Sequence, residues 1–500
     1  MKQLARDVTE RAARTPDAIA VVDGDGAHTT AEVLDAAREL ATVLESATDG
    51  PATVLVRADN SWRTVAAALA VGLTGGLLAV MSGHATRSEF DVAMEDLRPD
   101  VVIADGPLCQ VWNLPGHGFV PAGAALSGWE VHGPSDGRSR GVDRWEGGSV
   151  AAMTSGSTGR PKCVIQTEDA LRYAGEATID AVGLQPGDAI GALVPLSSAA
   201  AICFGMYLPT MLGGPMVADA KWNPENAVAV LRDNKVAWTM LVPTMALQLT
   251  LVDDADGALS AMKAMTVGGG PMNQNSLRSA ELKLGTTFLR VFGMSEALGH
   301  TTPSPEDGVE VRLGRDGRPF PGTVSRVVDE NGRELGVGQV GSLQIKGPSV
   351  FLGYARGGEP VAPDVTEDGF LATGDRAVLF DDGCVSIRGR EKDLIIRGGR
   401  NIDINEVEAA VAGIPGIHQV CVVPVPDPVL GERAAALVVV DGEVPSLEDV
   451  RRELEAADFP KFKWPEFVIA VDALPQSRVG KLDRSGAAEL AATLAGDTAT

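Results

Sequence analysis

The chain reads as an α/β protein. It has a large N-terminal domain of layered βα sheets carrying a small β unit, and a smaller α+β domain at the C-terminus. Three observations predict this. In the first third, amphipathic helical stretches alternate with short apolar strands, the signature of βα units on a largely parallel sheet. Around Val309 the alternation gives way to short strands punctuated by the turn dipeptides Asp316-Gly317, Asn331-Gly332 and Asp382-Gly383. From about Leu394 a smaller α+β pattern takes over, and 500 residues exceed what one hydrophobic core organises.

In order along the chain, Ala31 to Leu44 has helical spacing and Thr53-Val-Leu-Val-Arg57 reads as a strand. Val65 to Met81 is apolar enough to pose a membrane question. Its paired glycines Gly75-Gly76 divide it into an Ala-rich helix and a Leu-Leu-Ala-Val strand, as in a soluble sheet. Val101-Val-Ile-Ala104 is a further strand. Leu108 to Asp143 is rich in Gly and Pro with little periodicity, and is predicted to be a surface excursion. The apolar runs Ser149–Met153 and Cys163–Ile165 predict two buried strands joined by a Ser/Gly loop. The alternation then resumes from Leu171 to Arg290, with strands at Ala189–Val194 and Trp238–Val242. The last part predicts a helix near Asn405–Val411, strands near Val420 and Ala434–Val440, and a helix over Leu447–Ala457.

Composition narrows the function. With 43 basic and 67 acidic residues the formal charge is −24, which repels a polyanion, so nucleic acid is not an expected partner and any phosphate ligand needs a local site. Cys109, Cys163, Cys203, Cys384 and Cys421 are scattered without a C-x-x-C pair, giving no disulfide or metal framework. The first residues carry no apolar signal core, and the expected location is the cytoplasm, with no membrane association.

The most informative run is Thr154-Ser-Gly-Ser-Thr-Gly-Arg-Pro-Lys162. Its small residues free backbone N–H groups to face an anion, Ser155, Ser157 and Thr158 add hydroxyl donors, and Lys162 adds a mobile charge. A flexible linker has the same composition, but the flanking apolar runs favour phosphate binding. The Gly-Lys-Ser/Thr of an ordinary P-loop is absent. Further motifs follow. Val267-Gly-Gly-Gly-Pro271 offers bare backbone to a flat group, or is a tight turn. Phe292-Gly-Met-Ser-Glu296 places a carboxylate in a turn after an apolar strand. Thr373-Gly-Asp375 and Ile387-Arg-Gly-Arg390 supply an acid and a cation that are equally plain as hairpin residues. Pro475-Gln-Ser-Arg-Val-Gly-Lys481 ends in a lysine that elsewhere would be a solubilising charge.

In this order and at about this spacing, the motifs resemble those of the adenylate-forming superfamily: acyl- and aryl-CoA synthetases, stand-alone adenylation domains and firefly-type luciferases. The resemblance runs over nearly the whole chain, from Thr29 to Gly480-Lys-Leu-Asp-Arg484. It implies an N-terminal domain of residues 1–390 and a mobile C-terminal domain of residues 391–500, with a hinge near 391–393 centred on Lys392. It implies ATP and Mg²⁺ as cofactors and CoA as co-substrate. Thr154, Ser155, Gly156, Ser157, Thr158, Gly159 and Lys162 would hold the leaving phosphates. Gly268, Gly269 and Gly270, with Phe292, Gly293, Met294 and Ser295, would line the adenine and acyl pockets. Glu296 would ligate Mg²⁺, and Asp375 and Arg390 would take the ribose. Lys481 would be the main electrostatic catalyst, bridging the substrate carboxylate and the α-phosphate. Gly398 and Gly399 would line a pantetheine tunnel once the small domain has rotated.

The chain also departs from its relatives. Pro195-Leu-Ser-Ser198 stands where many CoA synthetases carry Pro-Leu-Phe-His, Cys163 replaces a glycine after Lys162, and Thr167-Glu168 replaces a common Thr-His. No acidic residue lies near Ser197–Phe204 to pair with an ammonium, which disfavours an α-amino acid. Ser197, Ser198, Ala199 and Phe204, with Gly268 and Gly270, suit a flat ring. Phe-Gly-Met-Ser-Glu looks like aryl-acid-activating members. His300 is either a contact to the substrate or a satisfied histidine. The predicted activity is ATP-dependent conversion of an aryl or small apolar acid to an acyl-adenylate with release of pyrophosphate, then transfer to a thiol, CoA foremost. The alternatives are a separate phosphopantetheinyl carrier protein as acceptor, an atypical use of the adenylate for amide or N–N bonds, or an inactive nucleotide-binding homologue. A homodimer is left open.

Overall fold

A computed structural model describes the 500-residue chain apart from residues 125, 155–159, 271–273, 441, 443, 477–481 and 499–500. The pleat of its strands explains the layering. In the parallel strands Thr53–Ala58 and Leu77–Ser82, Val54, Val56, Leu78 and Val80 point into one core while Leu55, Leu77, Ala79 and Met81 point into another. Near-continuous apolar runs are what a sheet covered on both faces requires.

Two nine-stranded sheets make up most of the N-terminal body. One runs Arg318–Pro319, Ala297–Thr302, Phe288–Met294, Ala264–Gly268, Trp238–Leu241, Ile190–Ala192, Met216–Ala218, Ile19–Asp23 and Gly26–Thr29. The other runs Glu359–Val361, Gly353–Arg356, Lys162–Thr167, Gly148–Thr154, Leu77–Ser82, Thr53–Ala58, Val101–Asp105, Trp129–Pro134 and Phe119–Gly123. Both are parallel in the middle and antiparallel at the edges. The largest core draws on both sheets and on the helices Lys2–Arg14, Thr30–Ala47, Trp62–Leu73 and Glu168–Val182. Thr30–Ala47 starts at a capping box, Thr29 with Glu32. Among the described residues no helix is long and apolar enough to cross a membrane.

Leu108 to Asp143 corrects the sequence reading. It is no loose excursion: it holds the helix Gly106–Val111 in part and the hairpin Phe119–Gly123/Trp129–Pro134, which extends the second sheet by antiparallel pairing on Val101–Asp105. Strands this short carry too few alternations to be read, and their register shifts at Pro121/Gly123. The buried side chains of Trp112, Leu114 and Trp129 fix the segment in place.

A third, antiparallel sheet of Val324–Val328, Val340–Lys346, Leu371–Leu379 and Val385–Arg390 is the β unit expected from the turn dipeptides, and Asp382-Gly383 joins its last two strands. Val327, Leu343 and Ile345 share a core with Val164, Phe292 and Ala297, so this sheet closes onto the place where the two large sheets meet. The C-terminal body is a five-stranded sheet of Arg400–Asp403, Leu394–Arg397, Gly431–Val440, Ile417–Asp427 and Phe467–Ala470. It carries the helices Ile404–Ala412 and Leu447–Ala456, with apolar clusters on both faces.

Candidate active site

In open α/β sheets, ligands gather beyond the carboxyl ends of the parallel strands. Thr154 closes the parallel strand Gly148–Thr154, and Gly268 and Met294 end two more. Thr154 pairs with Lys162 across the neck of the Ser/Gly loop, and its hydroxyl donates to the Lys162 carbonyl at 3.3 Å. The loop therefore joins two buried strands, as its flanks predicted.

Lys162 Nζ lies 4.9 Å from the centroid of the Tyr354 ring, and the Tyr354 hydroxyl donates to Glu296 Oε1 at 2.7 Å. Burial, then the bond to Glu296, pushes the Tyr354 phenol well above its usual range, so it stays a donor. Glu296 sits in the turn between Phe288–Met294 and Ala297–Thr302. Gln166 steadies that turn by donating to the Ser295 carbonyl at 2.8 Å, and Glu296 O accepts from Phe351 N at 2.8 Å. Tyr354 satisfies Oε1 only. A partly exposed carboxylate with one oxygen bonded by Tyr354 fits what Mg²⁺ takes, one or two carboxylates plus substrate phosphates.

Asp375 and Arg390 lie opposite each other in the third sheet, with Nε 3.4 Å from Oδ1. Asp375 is buried, and desolvation pushes its carboxyl up to about 6. Arg390 pulls it down, while Asp393, Glu391 and Glu296 push it further up. Glu296 is thus near enough to Asp375 to act on its charge. A second ion pair sets their spacing. Arg290, on the Glu296 strand, binds buried Asp316 at 3.1 Å, and Asp316 Oδ2 accepts from Ile387 N at 2.8 Å on the Arg390 strand.

Of the residues expected in the acyl pocket, Phe204 packs against Gly299. The Gly299 φ of +53° suits glycine, and a Cβ there would meet Phe204 Cζ at 2.9 Å and Phe320 Cε2 at 3.0 Å, so two aromatic rings converge on bare backbone. Gly268 is bare for a similar reason, because a Cβ would fall 2.9 Å from the Val291 carbonyl oxygen. Phe204 also meets Trp238 edge to face at 6.3 Å. Ser198 caps the helical turn Ala199–Ala201 by accepting from Ala201 N at 3.2 Å, Ser197 and Ala199 are buried beside it, and Gly270 faces Pro243. Gly269, at φ +81°, is exposed next to it.

His300 is a buried strand residue. Its Nε2 bonds Ser325 Oγ at 2.8 Å, its ring stands edge-on to Phe292, and Nδ1 has no partner among the described residues. Burial pushes it down to about 4, so it is neutral. Phe292 is buried, and Gly293 backs onto the Gly299 amide. Gly398 and Gly399 form the turn between Leu394–Arg397 and Arg400–Asp403 in the C-terminal sheet, against Leu430. Lys392 is exposed in the turn after Arg390. Ser155, Gly156, Ser157, Thr158, Gly159 and Lys481 lie outside the described residues.

The sequence reading missed Tyr354, Gln166 and the Arg290–Asp316 pair. Tyr354 alone had a signal, being one of only three tyrosines and next to Gly353. Cys163 is buried, and burial, then Asp96, pushes its thiol up to about 12, so it is not a nucleophile at neutral pH. Away from this site, ligand atoms of Cys109, Glu130 and His132 come within 4.8 Å of one another. There His132 already bonds Glu130 at 3.0 Å, and burial, then Glu130, pushes the thiol up to about 12, which leaves a protonated thiol beside a closed pair.

A family model described as AMP-binding enzyme matches residues 8–355, and one described as AMP-binding enzyme C-terminal domain matches residues 406–481. The chain belongs to the AMP-binding enzyme family. This AMP-binding enzyme is 32% identical over 502 residues to a salicylyl-CoA synthase / salicylate adenylyltransferase of Streptomyces sp, covering 94% of the chain and 90% of the relative. It is 31% identical over 531 residues to the 2-hydroxy-7-methoxy-5-methyl-1-naphthoate–CoA ligase of Streptomyces carzinostaticus, covering 97% and 92%. Among solved structures, ATP-bound MatB from Rhodopseudomonas palustris superposes with a TM-score of 0.84 at 26% identity, covering 98% and 99%. The apo form of MatB superposes at 0.74. The relatives are AMP-forming ligases, and the chain is an enzyme of that kind, activating a carboxylic acid with ATP.

Proposed function

We propose that the enzyme activates an aromatic acid bearing a hydroxyl next to its carboxyl, and passes the acyl group to CoA. The observation that supports this reading is the chain of contacts Lys162–Tyr354–Glu296, with the Asp375–Arg390 ion pair near enough for Glu296 to act on it. In the first step the substrate carboxylate attacks the α-phosphorus of ATP, and the bond to the pyrophosphate oxygen breaks. Two anions meet, so charge neutralisation is the main demand on the protein. Lys162 sits on the pyrophosphate side, braced by Tyr354. Glu296 would hold Mg²⁺, which supplies neutralisation of the phosphates when bound. Asp375 would accept from the ribose hydroxyls with Arg390 alongside. Lys481 would bridge the carboxylate and the α-phosphate.

Two features support the choice of acid. The rings of Phe204 and Phe320 converge on the bare backbone of Gly299, an apolar surrounding in keeping with a flat ring, and no acidic residue stands among Ser197–Phe204. The acids in the names of both relatives, salicylate and a 2-hydroxy-1-naphthoate, carry the adjacent hydroxyl. Support for CoA comes from the C-terminal body. Phe462 is exposed between Arg400 and Lys463, at 5.5 and 5.6 Å, and its carbonyl accepts from Arg397 at 3.1 Å, next to the Gly398-Gly399 turn. An aromatic face among cations suits an adenine carrying phosphates, within a protein that is otherwise strongly acidic.

Pyrophosphate release measured over aryl, alkyl and amino acids, with and without CoA, tests this. Release is expected with salicylate-type acids, and a thioester only when CoA is present. Release with α-amino acids alone would sink the reading of the acid, and adenylate that persists in the presence of CoA would sink that of the acceptor.

A further inference from the structure

The reaction outlined above makes no use of Glu168. Its side chain is 12% exposed and accepts four bonds: from the amide of Leu4 at 2.9 Å, the amide of Gln3 at 3.1 Å, the Met1 ammonium at 3.0 Å and the hydroxyl of Tyr207 at 2.9 Å. The first three belong to the opening turn of the helix Lys2–Arg14, whose unpaired N–H groups and positive dipole end favour a carboxylate.

Tyr207 closes a π-helical segment, Ile202–Tyr207, which carries Phe204 to the Gly299 backbone. The winding has a local cause. Pro209 has no N–H to give the Gly205 carbonyl, and the Leu208 amide instead reaches back to the Cys203 carbonyl. Such a segment is held poorly by its own bonds and depends on outside anchors. Its anchors lie one turn apart on a single helix, Glu168–Val182: Cys203 Sγ donates to the Leu171 carbonyl at 3.4 Å, and Tyr207 donates to Glu168. The N-terminal helix completes the clamp, with Arg11 donating to the Thr210 carbonyl and Asp7 pairing with Arg172.

We propose that Glu168 and Tyr207 are positioning residues for the acid: by tying the N-terminal helix to the π-helical segment, they set where the Phe204 ring stands over Gly299. This rests on the reading of Phe204 and Gly299 as the acid pocket. The nucleotide site, built on Glu296, Asp375 and Arg390, does not share the clamp.

The test uses the full chain and its Glu168→Gln and Tyr207→Phe variants. KM is measured for ATP, for salicylate and for the two-ring 1-naphthoic acid, and hydrogen exchange is followed in the 199–208 region. Loss of one buried hydrogen bond is expected to raise KM for salicylate about 3- to 10-fold and to change the preference between the two acids, with KM for ATP within about twofold. Exchange in 199–208 should quicken in both variants. Acid and ATP constants moving together, or an unchanged preference between the acids, would make the role merely structural and overturn the proposal. Unchanged exchange in 199–208 would overturn it too, and that readout needs no substrate. A wild type that releases no pyrophosphate with any aromatic acid would instead remove the proposed function, leaving exchange to decide the clamp.

Discussion

Asp375 carries more electrostatic tension than any other carboxylate of the site. Its pKa stands at about 6, above the ordinary value for an aspartate, because burial outweighs the pull of Arg390. The folded protein therefore binds this proton more tightly than the unfolded chain does. Between about pH 4 and pH 6 the folded state holds more of it, so this group's contribution to stability falls as pH rises through that window and stays lost above it. At pH 7.5 ionised Asp375 costs stability, by about 3 kcal/mol at most. Asp375→Asn is thus expected to melt at or above the wild-type temperature at pH 7.5, with the difference shrinking toward pH 5, while KM for ATP rises because the ribose loses its acceptor. Differential scanning fluorimetry at the two pH values, beside ATP kinetics, checks both halves; a variant that melts lower at pH 7.5 and binds ATP normally would contradict both. Asp375, Arg390 and Glu296 were legible as types in motifs. Their burial and mutual influence were not: Glu296 comes from a turn far off in sequence, and how deeply Asp375 is buried depends on tertiary packing.

At the scale of elements, the strands that could be read were those with enough residues to display an apolar run, such as Thr53–Ala58 and Gly148–Thr154. The edge hairpin within Leu108–Asp143 could not, since it depends on tertiary pairing and on buried tryptophans more than on its own periodicity. Asn60 was equally invisible, a polar residue in a turn. It is 6% exposed, and its amide donates to the carbonyls of Ala192 at 2.9 Å and Val194 at 3.2 Å while its oxygen accepts from Leu196 N at 2.9 Å. One side chain thus fastens the end of strand Thr53–Ala58 in one large sheet to strand Ile190–Ala192 of the other, just before Pro195-Leu-Ser-Ser198. Asn60→Ala would leave those backbone groups buried without partners, at about 2–4 kcal/mol in total. A lower guanidinium midpoint and a raised KM for the acid are expected. An unchanged midpoint would mean that water replaces the amide at no cost.

At the scale of the whole molecule, the sequence resemblance places a hinge near 391–393, and described contacts cross it, Asn405 against Gly389 among them. Arg376 pairs with Asp403 at 3.3 Å, and the Glu391 amide donates to the Gly374 carbonyl at 2.9 Å. Beyond the hinge, the base of the segment that holds Lys481 is tied firmly to the C-terminal body. Gln476 bridges to Leu482, and Arg484 grips buried Glu408 at 2.5 and 2.9 Å while reaching Asp393 at 3.6 Å, one residue past Lys392. A turn about such a hinge would carry the Arg484–Glu408 anchor with the C-terminal body and break the Arg376–Asp403 pair. The sequence resemblance assigns that turn to the passage from adenylate formation to thiol transfer. Two substitutions should therefore split the reaction. Lys481→Ala is expected to lower ATP–pyrophosphate exchange by about 10²- to 10³-fold, the scale of a lost preorganised charge, while still turning supplied acyl-adenylate and CoA into thioester. Lys392→Pro fixes φ near −65° in the turn, so it should keep exchange within a few-fold of wild type, roughly, and lose thioester formation. Arg484→Ala should resemble Lys481→Ala rather than Lys392→Pro, because it loosens the base of the lysine segment and leaves the 391–393 dihedrals free. If Lys481→Ala and Lys392→Pro lost the same half-reaction, one fixed arrangement of the two bodies would have to serve both steps.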